Sequence, residues 1–289
     1  MGKKNKKLKK IATNVSYRMK NGEIKVGKGE YINIDEYIKY SNDNLIISRL
    51  DNIISKEDVL VDTSDCQVDI KTLMTNELYS AEALTSIKSN KTYTIVLPVS
   101  KKDAISCFDY LEYTILSAIL RTSTLGYVYN NIKETWVAMN SENTSSFTNV
   151  LFIPKVLEFI DFKKGKVRSK ERMFNINVLL VAVPSKNAII EEVEDNDNKV
   201  DENDVNTVLS SRVIADICDA AIKCGCKDLI IDPFGYKFLD NDKTNASTLW
   251  KEITSSQRFI ENIDTITFTT EGNSNYVVFS SANPDCTRF

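Results

Sequence analysis

A chain of 289 residues with 42% apolar and 27% charged side chains has the make-up of a soluble globular protein, long enough to bury a large core. Its formal net charge of −3 supplies no global basic field for nucleic acid, and no apolar run reaches the roughly 20 residues that span a bilayer. Histidine is absent, which excludes Ser-His and Cys-His dyads and histidine-bound metals and leaves any proton transfer to Asp, Glu, Lys, Tyr or Cys.

Residues 1–10 hold six lysines and read as a solvated basic tail. Gly2 follows Met1, but Lys6 stands where a myristoylation signal needs Ser or Thr. Ile11 to Met19 is expected to be helical, Asn21-Gly22 marks a turn, and the weak alternation from Glu23 to Ile34 suits a strand or hairpin. Asp58 to Asp62 reads as a short buried strand and Ser80 to Ser89 as a helix. Thr92 to Val99 (TYTIVLPV) is a stronger buried strand, rich in β-branched residues. Tyr110 to Leu120 (YLEYTILSAIL) is apolar over three turns and predicts a buried helix. Val150 to Ile160 reads as two extended pieces separated by Pro154.

Asn175 to Val183 (NINVLLVAV) is a near-continuous apolar run ended by Pro184, the pattern of a central strand covered on both faces. Glu191 to Asp204 is an acidic run without apolar periodicity, expected as an exposed loop. Val205, Leu209, Val213, Ile217 and Ala221 form one stripe of a helix over Val205 to Cys224, with Asp204 or Asn206 as N-cap and Gly225 as terminator. Leu229 to Asp232 is the next strand, Asn245 to Ile260 a helix, and Thr265 to Thr269 and Tyr276 to Phe279 closing strands. This alternation argues for a layered α/β sheet. The six cysteines (Cys66, Cys107, Cys218, Cys224, Cys226 and Cys286) form no Cys-x-x-Cys pair. They read as buried thiols of a cytoplasmic protein, and neither a metal nor a cofactor is expected. The Lys-, Asn- and Ile-rich composition suits an AT-rich genome, such as a viral or phage one.

Five fragments in order resemble the microbial type of poly(ADP-ribose) glycohydrolase, a macrodomain-related family. They are Thr92 to Leu97, Arg121 to Leu125 (RTSTL), Val150 to Phe159 (VLFIPKVLEF), Val178 to Asn187 (VLLVAVPSKN), and Arg212 to Asp242. The resemblance implies a three-layer α/β/α macrodomain-like mixed sheet with an N-terminal extension. One domain over residues 11–289 is expected, carrying the acidic loop at about 191–204. The family binds ADP-ribose in a cleft at the strand ends, between a triglycine loop with its following Gln-Glu-Glu helix and a second glycine-rich phosphate loop.

Aligned on strand and RTSTL without a gap, the family's triglycine falls on Ile105-Ser106-Cys107 and its Gln-Glu-Glu on Ile115-Leu116-Ser117. A β-branched Ile resists the positive φ that a diphosphate cradle uses, and neither Leu nor Ser replaces a carboxylate in glycosidic cleavage. Glu112, Asp103 and Asp109 are the carboxylates near enough to be recruited as a displaced acid. The second loop, Asp232 to Phe238, keeps a half-site in Gly235, Tyr236 and Lys237, where Lys237 supplies a point charge for phosphate. The resulting expectation is a catalytically inactive macrodomain-like protein acting by binding a protein or a nucleotide-like ligand, or by assembly. The alternative is a glycohydrolase or ADP-ribose-binding protein with a displaced carboxylate. No membrane partner is expected, and nucleic acid would have only the basic tail to meet.

Overall fold

The computed structural model describes residues 19–20, 22–26, 28–53, 69–75, 91–106, 116, 119–120, 122–141, 146–161, 166–184, 188, 202–231, 243–282 and 287–288. Within them the strands are β1 (Met19–Lys20), β2 (Glu23–Lys25), β3 (Tyr31–Asn33), β4 (Ile46–Arg49), β5 (Asp69–Thr75), β6 (Tyr93–Ser100) and β7 (Asn149–Glu158). They continue with β8 (Ile160–Asp161), β9 (Lys166–Val167), β10 (Phe174–Val183), β11 (Asp228–Ile231), β12 (Thr265–Glu271) and β13 (Thr287–Arg288). The helices are α1 (Asp35–Asn44), α2 (Lys101–Ser106), α3 (Leu125–Asn140), α4 (Glu202–Lys223), α5 (Lys243–Thr254), α6 (Gln257–Asn262) and α7 (Gly272–Ala282).

Eight strands form the central sheet in the order β13-β5-β12-β11-β6-β10-β7-β4. Strands β13, β5, β12, β11, β6 and β10 run parallel, while β7 is antiparallel to both β10 and β4. The sheet is therefore mixed, as expected. Its two faces divide β10 residue by residue. Leu179, Val181 and Val183 pack with α4, α5, α6 and α7 through Val213, Ile217, Trp250, Phe259 and Phe279. Val178, Leu180 and Ala182 pack on the other side with Ala104, Leu116, Val128 and Trp136. Helices on both faces make the third layer and explain why β10 carries no polar residue after Asn177.

Residues 19–34 form the small meander β1-β2-β3. Gly22 has φ +73° in its first turn, which an Asn-Gly hairpin requires. Ile24 and Ile34 bury against Leu157, Phe159 and Ile160 at the end of β7. Met19 is thus in a strand rather than ending a helix, while residues 11–18 lie outside the described set, as do the strand and helix expected at 58–62 and 80–89.

Four further expectations give way. Pro154 does not split Val150 to Ile160 into two pieces: β7 runs through it, with a bulge opposite Asn177 that absorbs the missing N–H. Lys155 takes the extra residue's left-handed conformation at φ +56°. The helix expected to begin at Val205 begins at Glu202, so Asp204 and Asn206 lie inside it rather than capping it. Acids at a helix start meet the positive end of its dipole, so the acidic run extends the helix. Gly225, at φ +68°, does follow its end.

The helix expected over Asn245 to Ile260 is interrupted between α5 and α6. The Thr254 hydroxyl donates to the Trp250 carbonyl at 2.7 Å, and the Ser255 and Ser256 hydroxyls donate to those of Lys251 (2.7 Å) and Ile253 (2.6 Å). Such back-bonding competes with helix continuation. Finally, Tyr276 to Phe279 is part of helix α7, not a strand. A four-residue apolar run has no decisive period. Its setting between parallel strands of one sheet calls for a crossover helix, and Phe279 fills a site against Phe268 at 4.4 Å.

Candidate functional site

The parallel strands β6, β10, β11 and β12 all end on one side of the sheet, where open α/β sheets bind ligands. At the end of β6, the Ser100 hydroxyl accepts the Asp103 N–H at 3.0 Å, the geometry of an N-cap with the acid at the third helical position. Helix α2 therefore starts directly at the strand end. Asp103, a candidate acid, sits half-buried in its first turn.

Lys101 opens the same helix and is only 2% exposed. A cation at a helix start opposes the dipole, so tertiary contacts set its place. Ala104 is fully buried, and its carbonyl accepts the Trp136 indole N–H at 3.0 Å, which ties α2 to α3. Ile105 and Ser106, aligned with the first two glycines of the family's loop, are helical.

Leu116, Ile119 and Leu120 are buried on the same face of the sheet, among Ile95, Val99 and Trp136. The Ser123 hydroxyl donates to the Ile119 carbonyl at 2.6 Å and accepts the Leu125 N–H at 3.1 Å, joining this turn to α3. Leu116 is the middle residue of the stretch aligned with Gln-Glu-Glu, and it is 2% exposed. The other two candidate acids, Glu112 and Asp109, lie outside the described residues, as do Gly235, Tyr236 and Lys237. The strand that leads to these last three, β11, is buried along its whole length.

Arg212, in the helix of the last matching fragment, donates from Nε to Asp216 Oδ1 at 3.1 Å. The Thr148 hydroxyl, just before β7, donates to the other oxygen of Asp216. Burial pushes the Asp216 carboxyl above its usual range, against the opposing pull of Thr148 and Arg212. This triad fixes α4 to the start of β7. Lys101, Asp216 and the fully buried Glu158 were not singled out from the sequence. Each follows an ordinary polar pattern, and only burial distinguishes them. Cys218, Cys224 and Cys226 are buried free thiols, and burial pushes that of Cys226 up to about 12. Among the described residues no three His, Cys, Asp or Glu side chains group as a metal site. Nor is any described helix long and apolar enough to cross a membrane.

No family model and no curated protein matches the sequence. Solved structures do match the fold. The poly(ADP-ribose) glycohydrolase of Thermomonospora curvata is 15% identical, with a TM-score of 0.64 over 95% of this chain and 98% of that one. The same enzyme bound to the inhibitor ADP-HPD gives 0.65 at 14% identity over the same shares. The Deinococcus radiodurans enzyme in complex with ADP-ribose gives 0.57 at 14% identity, over 85% of this chain and 96% of that one. Mixed sheet, covering helices and overlap along nearly the whole chain thus agree: this protein has the fold of the microbial poly(ADP-ribose) glycohydrolases.

Proposed function

We propose that this protein binds an ADP-ribose-like ligand, or a protein partner bearing one, at the strand ends without cleaving the glycosidic bond. The observation that carries the reading is Leu116. The first Glu of the family's Gln-Glu-Glu aligns with Leu116, a leucine packed in the core, and the second, which supplies the family's acid, aligns with Ser117, outside the described residues. Neither a leucine nor a serine can protonate a leaving group or steady an oxocarbenium ion. Helix α2 supports the same reading. Its backbone is helical at Ile105 and Ser106, and its Ala104 carbonyl is held by Trp136, where a diphosphate cradle would need free, outward N–H groups. Binding would then rest on the loop after β11, with Lys237 as the phosphate contact and Gly235 as the turn.

Two measurements test this. Calorimetry with ADP-ribose should give saturable heat that Lys237→Ala weakens about tenfold or more, the scale of one charge-assisted contact. No heat at millimolar ligand would leave assembly as the function of the fold. Hydrolysis of an ADP-ribosylated protein should be absent. Robust release of ADP-ribose, abolished by changing Glu112, Asp103 or Asp109 to the amide, would overturn the non-hydrolytic reading.

A further inference from the structure

Glu158 ends β7 opposite Phe174, the first residue of β10. Ile176, two residues further along β10, pairs with Tyr93 at the start of β6. Glu158 therefore lies at the end of the sheet away from the strand C-termini and plays no part in the candidate site. Its side chain is completely buried. Oε1 accepts the Thr122 hydroxyl at 3.1 Å, and Oε2 meets no hydrogen-bond partner among the described residues.

Arg168 is the charged side chain among the described residues whose field reaches this carboxyl. Its guanidinium is engaged elsewhere. Nε donates to the Ile160 carbonyl at 3.2 Å, and the group lies over the Phe174 ring at 5.3 Å. The other described residues packed at this joint, Ser123, Thr124, Leu157, Phe159, Ile24 and Ile34, carry no charge. An ionised carboxylate with one hydrogen bond and no ion pair among the described residues is costly in such a place, and a neutral acid is much less so.

The acid also sits at a seam. The Thr124 N–H donates to the Leu157 carbonyl at 3.0 Å, and the Phe159 N–H to the Thr122 carbonyl at 3.0 Å. The Leu157 N–H donates to the Thr124 hydroxyl at 3.0 Å. Ser123 in turn holds the helical turn at Ile119.

We propose that Glu158 is a proton-dependent latch: as a neutral acid it holds residues 122–124 against the end of β7, and its ionisation frees that segment. Burial raises the Glu158 pKa from the ordinary 4.5 to about 8, against the opposing pulls of Thr122 and Arg168. An acid that keeps its proton when closed and loses it when open favours opening as pH rises. Closure is therefore strongest below the ordinary glutamate value. It weakens as pH climbs towards about 8, then levels off. Inside that window the opening constant grows about tenfold per pH unit.

Hydrogen exchange read by NMR at the amides of Thr124, Leu157 and Phe159 tests the latch. Between pH 5 and pH 8 their protection factors should fall by about tenfold per unit in the native chain. In Glu158→Gln, which keeps a hydrogen-bonding amide but cannot ionise, they should be flat. Protection independent of pH in the native chain, or the same slope in the variant, would overturn the proposal. Should the variant not fold, the native chain suffices. A Glu158 carboxyl carbon that titrates in the ordinary glutamate range removes the latch, and one that titrates near the raised value supports it.

Discussion

The two ends of the sheet are closed by different means. At the strand C-termini, β6 passes straight into α2, and an indole–carbonyl bond from Trp136 to Ala104 ties that helix into a largely apolar layer. At the opposite end, β7 meets residues 122–124 through a series of backbone and hydroxyl bonds around one buried acid, and the N-terminal meander through apolar packing of Ile24 and Ile34. Helix α2 at the cleft end leans on packed volume around one buried indole, and the far end on many directional contacts of modest strength. A large deletion should therefore hurt most at the cleft end, whereas backbone geometry and proton count should matter most at the far end.

Trp136→Ala puts the largest strain on this contrast. It empties a fully buried indole site and removes the donor to Ala104. A loss of about 3–5 kcal/mol is expected in urea denaturation, a large part of an ordinary domain's stability. A loss below about 1 kcal/mol would show that α2 is held by something other than α3 and would break the contrast.

Gly22→Ala probes the far end and should be milder. The residue sits at φ +73°, and a Cβ there would run into the Asp35 carboxyl. The Gly22 carbonyl also accepts the Ile34 N–H at 2.8 Å, so strain passes directly to the meander. The expected loss is about 1–2 kcal/mol. An unchanged denaturation midpoint would mean that the meander adds nothing to the stability of the β7 end.

The smallest effect belongs to the bulge in β7. Lys155 holds φ +56° because its N–H donates to Asn177 Oδ1 at 2.9 Å and the Ser41 hydroxyl donates to the neighbouring Pro154 carbonyl at 2.6 Å. Its ammonium lies over Tyr40 at 4.5 Å. Both Lys155→Gly and Lys155→Ala lose that contact, but only glycine relieves the backbone. The glycine variant should be the more stable of the two by about 1 kcal/mol. Equal midpoints would show that the bulge is not strained.

Much of the scaffold was legible before any coordinates, because it rests on local rules. The β-branched run of β6, the uninterrupted apolar run of β10 and the Gly225 stop all follow from period and propensity. The misread elements are those where a neighbour outvoted the local pattern. Phe279 belongs to a helix because a crossover had to fit between parallel strands and fill a site against Phe268. Pro154 stays within β7 because Asn177 and Ser41 hold a bulge around it. In the candidate site, the Ser-x-x-Asp spacing at Ser100 and Asp103 carries the signal of a helix cap as well as a candidate acid. Lys101, Asp216 and Glu158 had no signal of their own, since polar residues look alike in sequence whether wet or dry.

Sequence alone carried the class of the fold: most of the order of strands and helices and the burial of the central strands. Those are properties of side-chain type and spacing. The tertiary structure settled where charge survives without water, because burial and partner geometry depend on residues far apart in the chain. It placed Leu116 in the core, and at the opposite end of the sheet a carboxyl with one hydrogen-bond partner among the described residues.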